Sequence, residues 1–396
     1  MNTASRMGPT GWAHHGGAPV YRCWAEVDLD ALRENLAWIR QRVGPDVRIM
    51  TVVKADAYGH GLTAIAAHLM RCGTDLFGVA NLAEAHAIRS VGRGWPVLML
   101  GACLPDEVSR AIRDGVMLTV SDEGESRHIA SEAARVGMPA RVHLKLDTGM
   151  GRLGSRPADA VKMAVAIGRS DWLRLEAVYT HFAAAEDDAA FTRRQEERFR
   201  TALGDLRAAG IPVPLVHACN SGGLLYQPDA WFGLVRPGLL VYGILPPGNR
   251  RLTGAARHGF RPALSLHSRV SLVRTVARGT TVSYGHTFTA PRTMRLATVS
   301  AGYGDGYPRA ASGRARVLVR GHVCPVVGRV TMDQTIVDVS AATAVEPGDE
   351  VMLLGQQGTE AISTVQLAGW CGTIPWEILT GISYRVPRIY RGAQAS

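Results

Sequence analysis

The sequence predicts an α/β protein: a (β/α)8 TIM-like barrel followed by a C-terminal, mostly β domain. Two observations support this prediction. Eight apolar, β-branched runs alternate with amphipathic segments of helical period over about 240 residues, which matches eight βα units. Beyond about residue 257 the helical period stops, and short alternating runs bounded by turn residues replace it. An open, doubly wound sheet is the alternative for the first part.

The elements are predicted in chain order as follows. A short strand at 24–28 precedes a helix, which Asp28 or Asp30 caps. The eight barrel strands are predicted at 49–53, 76–80, 97–100, 117–120, 141–146, 173–180, 214–218 and in a run that ends near Val235. The amphipathic segments between them include 62–69, 105–114, 122–136, 157–168 and 188–209. The later strands are predicted at 264–272, 280–288, 295–299, 316–319, 323–330, 334–339 and 350–354.

The length also indicates more than one domain. A chain of 396 residues exceeds what one compact core usually serves. We expect a disordered polar leader at 1–20, a barrel at 21–257 and a β domain at 258–396. The Pro- and Gly-containing segment 245–259 is the predicted linker.

Composition narrows the function classes. The net charge of +10 comes from scattered arginines without a basic block interleaved with aromatics, so we expect an anionic small ligand and no nucleic acid. Six cysteines form no CxxC pair, which argues against a disulfide framework and a zinc site, and we expect no metal. The N-terminal segment lacks the apolar core of a signal peptide, and no window is long and apolar enough to span a bilayer. We therefore expect a cytoplasmic protein without a membrane partner.

Reactive side chains are predicted at the C-terminal ends of the barrel strands, where barrel active sites form. The residues that follow these ends include Lys54, Tyr58, Asp147, Arg152, His181, Asn220, Ser221, Arg236 and Gly238. Singly, each has an ordinary structural explanation, such as a lysine that snorkels from a sheet rim. Together they fit an aldehyde cofactor that bears a phosphate. A lysine forms a Schiff base once it is neutral, and backbone N–H groups near a serine and a glycine suit a phosphate.

The run Val53-Lys54-Ala55-Asp56-Ala57-Tyr58-Gly59-His60-Gly61 resembles the pyridoxal-phosphate signature of alanine racemases. The resemblance begins near residue 22 and continues through both predicted domains. Its further motifs lie at 145–154, 179–182, 220–221, 235–243, 282–285, 302–309, 328–334 and 382–388. It implies an isomerase that interconverts L- and D-alanine, in support of cell-wall peptidoglycan metabolism, and a homodimer with composite active sites.

The resemblance also implies residue roles. Lys54 would hold pyridoxal 5'-phosphate as a Schiff base and act as the base for one enantiomer. Tyr284, from the second subunit, would be the opposite base. Arg236 would face the pyridine nitrogen and leave it unprotonated, because a guanidinium does not release its proton near neutral pH. His181 would bond and orient Arg236.

Further roles follow from the same resemblance. Arg152 would stabilise the cofactor phenolate and contribute to substrate binding, and Lys145 matches a lysine that is often carbamylated. Met332 would offer its backbone N–H to the substrate carboxylate, with Asp333 beside it. The remaining residues implied in cofactor binding, mostly at the phosphate, are Tyr58, Asn220, Ser221, Gly238, Leu239 and Tyr384.

Several alternatives stay open. A broad-specificity amino-acid racemase would share this fold and both bases. A pyridoxal-phosphate carrier or regulator would use a barrel lysine but would lack Tyr284 in a second domain. A decarboxylase of similar architecture would place an acid where Arg236 is expected. The segment 149–154 also reads as GxGxxG, and Glu176 lies about where a ribose-binding acid of a dinucleotide site would be.

Overall fold

The computed structural model describes residues 21–248 and 259–392. The predicted leader at 1–20 and most of the predicted linker at 245–259 therefore lie outside the described residues.

The first part of the chain is a closed barrel. Strand β1 (Cys23–Asp28) and helix α1 (Leu29–Val43) precede it, and the Asp28 side chain caps the helix by accepting from Ala31 N. Eight parallel strands then pair in sequence order, and the last pairs with the first. They are β2 (Arg48–Val52), β3 (Leu76–Val79), β4 (Val97–Met99), β5 (Met117–Val120), β6 (Ala140–Lys145), β7 (Leu173–Tyr179), β8 (Val216–His217) and β9 (Leu234–Val235). The barrel prediction is confirmed, and the open sheet is wrong.

A left-handed turn, α2 (Lys54–Tyr58), follows β2, and helices surround the barrel. These helices are α3 (Leu62–Met70), α4 (Leu82–Val91), α5 (Pro105–Arg113), α6 (Glu123–Val136), α7 (Ala160–Gly168), α8 (Ala189–Ala208) and α9 (Ser221–Tyr226). A separate buried cluster near the N-terminal ends of the strands joins Met50, Leu76, Leu98, Met117 and Leu234. This packing leaves the C-terminal ends of the strands for a ligand site.

The second part is mostly β, as predicted. Its strands are β10 (Leu264–Val276), β11 (Thr281–Val282), β12 (Phe288–Thr289), β13 (Met294–Val299), β14 (Arg316–Val319), β15 (His322–Pro325), β16 (Thr335–Asp338), β17 (Glu350–Gln357), β18 (Glu360–Ile362) and β19 (Arg388–Arg391). Two helices, α10 (Thr364–Cys371) and α11 (Pro375–Thr380), complete it. The main strand order is β15-β14-β17-β10-β1-β19.

Two predicted strands of this part were too long. The segment 280–288 is interrupted at a turn, because Ser283, Gly285 and His286 all have positive φ. The strand predicted at 323–330 ends at Pro325.

Strand β1 belongs to the C-terminal sheet, although it precedes the barrel in sequence. It pairs antiparallel with β10, with Cys23 opposite Ser268, and parallel with β19, with Ala25 opposite Arg388. The N-terminal end of the described chain thus links the two parts of the molecule.

Three further observations concern membrane spans, metal sites and disulfides. Within residues 21–248 and 259–392, we find no helix that is both long and apolar enough to cross a membrane. The same residues contain no group of three or more His, Cys, Asp or Glu side chains arranged to hold a metal ion. All six cysteines are free thiols.

Candidate active site

A cavity of about 240 Å³ lies at the C-terminal ends of the barrel strands. Ten of the residues predicted from the sequence line it: Lys54, Tyr58, Lys145, Arg152, His181, Asn220, Ser221, Arg236, Gly238 and Leu239. The other lining residues, which the sequence analysis did not predict, are Val52, Leu100, Tyr179, Glu186, Gly222, Pro246 and Trp376. Lysine and arginine side chains give this cavity a basic character that suits an anionic ligand.

Asp147, predicted at a strand end, does not line this cavity. Neither do four residues implied by the resemblance: Tyr284, Met332, Asp333 and Tyr384. All four are exposed in the single chain, and the exposed fraction is 73% for Tyr284 and 98% for Tyr384. Of the two predicted bases, Lys54 lines the cavity of its own chain and Tyr284 does not.

A left-handed turn after β2 presents Lys54 and Tyr58 to the cavity. The four residues from Ala55 to Tyr58 have φ between 52° and 55°. This conformation costs about 1–2 kcal/mol per residue for L-amino acids, so the surrounding structure must impose it. Two side chains do so from inside the barrel domain. Glu84 Oε1 accepts from Ala55 N, and Asp56 Oδ1 accepts from Leu62 N, both at 2.7 Å.

The cavity environment favours neutral lysine amines. Burial lowers the pKa of Lys54, the nearby positive charge of Arg152 lowers it further, and Glu84 opposes these effects. Burial, followed by the charges of Arg152 and Arg236, lowers the pKa of Lys145 to about 8. A neutral amine is the nucleophilic form, so these shifts increase the fraction of each lysine that can react with a carbonyl carbon.

Arg236 is the most connected cation of the site. Its Nη2 donates to Thr180 O at 2.8 Å and to Ala218 O at 2.9 Å, and it lies 3.2 Å from His181 Nδ1. Its Nη1 donates to His217 Nδ1 at 2.6 Å. Burial lowers the pKa of Arg236 to about 10, which still leaves the guanidinium charged at neutral pH. The contact with His181 was expected from the family resemblance, whereas His217 was not predicted.

A second histidine lies behind His217. His217 Nδ1 accepts from Arg236, so the neutral ring carries its proton on Nε2 and can donate to His143 Nδ1, 3.0 Å away. Burial, reinforced by the charge of Arg236, lowers the pKa of His181 and His217 well below the usual value. Burial lowers the pKa of His143 to about 3. The guanidinium is thus held by neutral imidazoles.

Ser221, Gly238 and Tyr58 form one part of the cavity wall. Ser221 Oγ accepts from Gly238 N at 3.0 Å, next to the start of α9. Asn220 caps that helix by accepting from Gly223 N at 2.9 Å. A Cβ on Gly238 would lie only 2.5 Å from Tyr58 Oη, so this close approach requires glycine. Small residues, the start of α9 and a phenol therefore meet at one place.

Tyr284 lies on a strained turn of the second domain. Ser283, immediately before it, has φ of 64°, and Ser283 Oγ donates to Arg329 O at 2.7 Å. Asp333, the predicted neighbour of the substrate, forms an ion pair with Arg385 at 2.7 Å. These contacts fix an exposed surface of the β domain.

The GxGxxG segment 149–154 does not form a dinucleotide site. The Asp147 carboxylate accepts from the backbone N–H groups of residues 149–151, which are therefore already bonded. Glu176, the candidate ribose-binding acid, pairs instead with Arg141.

The chain also resembles known proteins over most of its length. Residues 27–246 match the family model "Alanine racemase, N-terminal domain", and residues 263–390 match "Alanine racemase, C-terminal domain". The alanine racemase of Symbiobacterium thermophilum is 43% identical, over 94% of this chain and 98% of that protein. The alanine racemase of Desulforamulus reducens is 40% identical, over 93% and 99%.

Solved structures lead to the same family. The alanine racemase from D-cycloserine-producing Streptomyces lavendulae superposes with a TM-score of 0.88 at 36% identity, covering 95% of this chain and 98% of that one. The biosynthetic alanine racemase of Pseudomonas aeruginosa gives 0.83 at 34% identity, covering 94% and 100%. Family models, relatives and structures agree across both domains, and the chain belongs to the alanine racemase family.

Proposed function

We propose that this chain binds pyridoxal 5'-phosphate and interconverts L- and D-alanine. The relatives named above are alanine racemases, and the proposal extends that activity to this chain. One observation carries it. Lys54, whose pKa is lowered, and Arg236, which keeps its charge, line the same cavity.

The cavity fits the cofactor by its chemistry. Lys54 supplies an amine for the aldehyde, and Ser221, Gly238 and Tyr58 surround a space for the phosphate. Arg152 offers a positive charge to the phenolate. When bound, the cofactor withdraws electrons from the amino acid and so acidifies its Cα–H. Tyr384, which the resemblance also implies at the phosphate, is exposed and does not line the cavity.

Arg236 favours return of the proton to the substrate Cα over side reactions. A guanidinium with a pKa near 10 keeps its proton at neutral pH, so Arg236 would donate a hydrogen bond to the ring nitrogen of a bound cofactor without protonating it. An unprotonated ring is a weaker electron acceptor, and this favours return of the proton to Cα over side reactions. An acid in this position would have favoured the decarboxylase alternative.

Racemisation requires a base on each face of Cα. Lys54 serves one face, and we propose that Tyr284 of a second copy of the chain serves the other. Tyr284 and Met332 are exposed and lie outside the cavity of their own chain, which supports their use in a neighbouring site of a homodimer. There Met332 N–H would bind the substrate carboxylate, with Asp333 beside it. The D-alanine formed or consumed would serve peptidoglycan metabolism.

The test compares the purified wild type with Lys54→Ala and Tyr284→Phe. We expect the wild type to bind pyridoxal 5'-phosphate with a visible absorbance band and to racemise alanine in both directions. Lys54→Ala should lose the band, whereas Lys162→Ala, a surface lysine paired with Glu123, should keep it. A wild type that stays colourless with excess cofactor contradicts the proposal.

Rates with alanine, serine, lysine and arginine decide between the remaining alternatives. Alanine should be strongly preferred. Comparable rates with all four amino acids would favour a broad-specificity racemase, and cofactor binding without turnover would favour a carrier or regulator.

A further inference from the structure

Side chains of the C-terminal domain also hydrogen-bond to the left-handed turn that carries Lys54. Arg388 Nε donates to Gly59 O at 3.0 Å, and Tyr390 Oη donates to His60 O at 3.1 Å. A Cβ on Gly59 would lie 2.2 Å from Leu379 O. Helix α11 and strand β19 of the C-terminal domain therefore press directly on the end of this turn.

Arg388 uses its remaining nitrogens on a different segment. Nη1 donates to Ser383 O at 2.7 Å and to Val386 O at 2.6 Å, and Nη2 donates to Ile382 O at 2.8 Å. One planar guanidinium thus joins the turn to the loop 382–386. Lysine, with a single flexible ammonium, cannot reproduce this fork.

The loop 382–386 continues this connection into the β domain. Ser383 Oγ donates to Gly304 O at 2.8 Å, and Gly304 N donates to Met332 O at 2.8 Å. The neighbouring Arg385 pairs with Asp333. Hydrogen bonds therefore run from the Lys54 turn, through Arg388 and Ser383, to the backbone beside Met332.

We propose that Arg388 is a positioning residue that fixes the Lys54–Tyr58 turn relative to the loop 382–386 and, through it, to Met332. The inference rests on the proposed function and deepens it. Lys54 serves the cavity of its own chain, whereas Met332 serves that of the second copy. Arg388 then fixes the position of two groups of one subunit: Lys54, which binds cofactor in the same subunit, and Met332, which contacts substrate in the other.

The test compares two substitutions that remove different hydrogen bonds. Arg388→Met breaks the bonds to both the turn and the loop, whereas Tyr390→Phe removes only a bond to the turn. We expect Arg388→Met to weaken the affinity of the apo protein for pyridoxal 5'-phosphate by about tenfold or more, because hydrogen bonds of a charged group are lost. It should also raise the KM for alanine at saturating cofactor. Tyr390→Phe should weaken cofactor affinity by a smaller factor and leave the KM unchanged.

Two further variants calibrate the result. Arg391→Met, on the same strand, removes an exposed pair with Glu26 and should change neither quantity. Arg388→Lys keeps the charge without the fork, and it should recover only part of the affinity lost in Arg388→Met. Melting temperatures of all apo proteins are measured in parallel, with binding assayed well below each transition.

The contrary results are distinct. If Arg388→Met is less stable but binds cofactor and alanine like the wild type, Arg388 is merely structural and the inference is wrong. If Arg388→Met does not fold, the same result in Arg388→Lys leads to the same conclusion. A wild type that binds no cofactor and racemises no alanine contradicts the proposed function, and the inference fails with it.

Discussion

Arg236 donates through Nη1 to His217 Nδ1 at 2.6 Å, and both side chains are buried. Every hydrogen bond that we find from Arg236, in the described part of the chain, ends on a neutral imidazole or a carbonyl. Its positive charge therefore stays available to a ligand, because no carboxylate among residues 21–248 and 259–392 pairs with it. His217 holds the guanidinium in place without neutralising it.

Replacement of His217 should impair turnover more than cofactor binding. In His217→Phe, Arg236 loses its shortest hydrogen bond, and we expect kcat for alanine to fall by about tenfold because the guanidinium is no longer held in one orientation. Kinetics at saturating pyridoxal 5'-phosphate measure the effect. His68→Leu, a buried histidine of α3, serves as the control. A kcat equal to that of the wild type in His217→Phe would show that His217 does not orient Arg236.

The buried histidines should make the fold sensitive to acid. The pKa of His143 falls from 6.5 to about 3 on folding, so the unfolded chain binds a proton between these values and the folded chain does not. The free energy of unfolding therefore decreases as pH falls through this window, by at most about 1.4 kcal/mol per pH unit for one group. Urea denaturation across the window should be less pH-dependent in His143→Asn than in the wild type. The exposed variant His128→Asn should keep the wild-type slope, and an equal slope in His143→Asn would contradict this account.

Lys145 should react with carbon dioxide. Its pKa of about 8 leaves about a tenth of the amine neutral at pH 7, and only the neutral form attacks carbon dioxide, with release of a proton. Native mass spectrometry in bicarbonate should show one added carbon dioxide per chain, absent from Lys145→Arg. Lys162→Arg controls for surface lysines. An unmodified wild type at neutral and mildly alkaline pH would contradict the prediction.

Gly238 should tolerate no side chain. In Gly238→Ala the new Cβ would lie 2.5 Å from Tyr58 Oη, so either the phenol or the loop must move. We expect affinity for pyridoxal 5'-phosphate to fall by about tenfold or more, consistent with the loss of one or two hydrogen bonds. Gly204→Ala, in α8 with open space around its Cβ, should leave affinity unchanged. Spectrophotometric titration of the apo proteins provides the comparison, and equal affinities would mean that the phosphate lies elsewhere.

The barrel could be predicted from the sequence because the spacing of apolar residues follows from which face of each strand or helix is buried. The strand predicted at 117–120 is β5 to the residue, whereas the strand predicted at 214–218 shrinks to Val216–His217. The pairing of β1 with β10 was not predictable, since it joins Cys23 to Ser268 across the whole barrel. Such long-range pairing leaves no local signal in a short strand.

For the site, the rule that strand ends carry function identified Lys54 and Arg236. It missed His217, which is the last residue of β8 but lies inside the longer strand predicted at 214–218, where it looks like an ordinary core residue. One physical signal was present: a buried arginine needs acceptors, and His217 is close in sequence to the predicted strand end at Asn220. The left-handed turn was missed because contacts from Glu84 and the C-terminal domain impose its φ angles.

We propose that each active site combines Lys54 of one chain with Tyr284 of another. Lys54→Ala and Tyr284→Phe should each be inactive alone. When the two are mixed and allowed to exchange subunits, half of the dimers are mixed and each mixed dimer has one intact site, so activity should return to about one quarter of the wild-type level. If Tyr284 instead acts within its own chain, no dimer contains an intact site, and a mixture that stays inactive after verified subunit exchange would contradict the account.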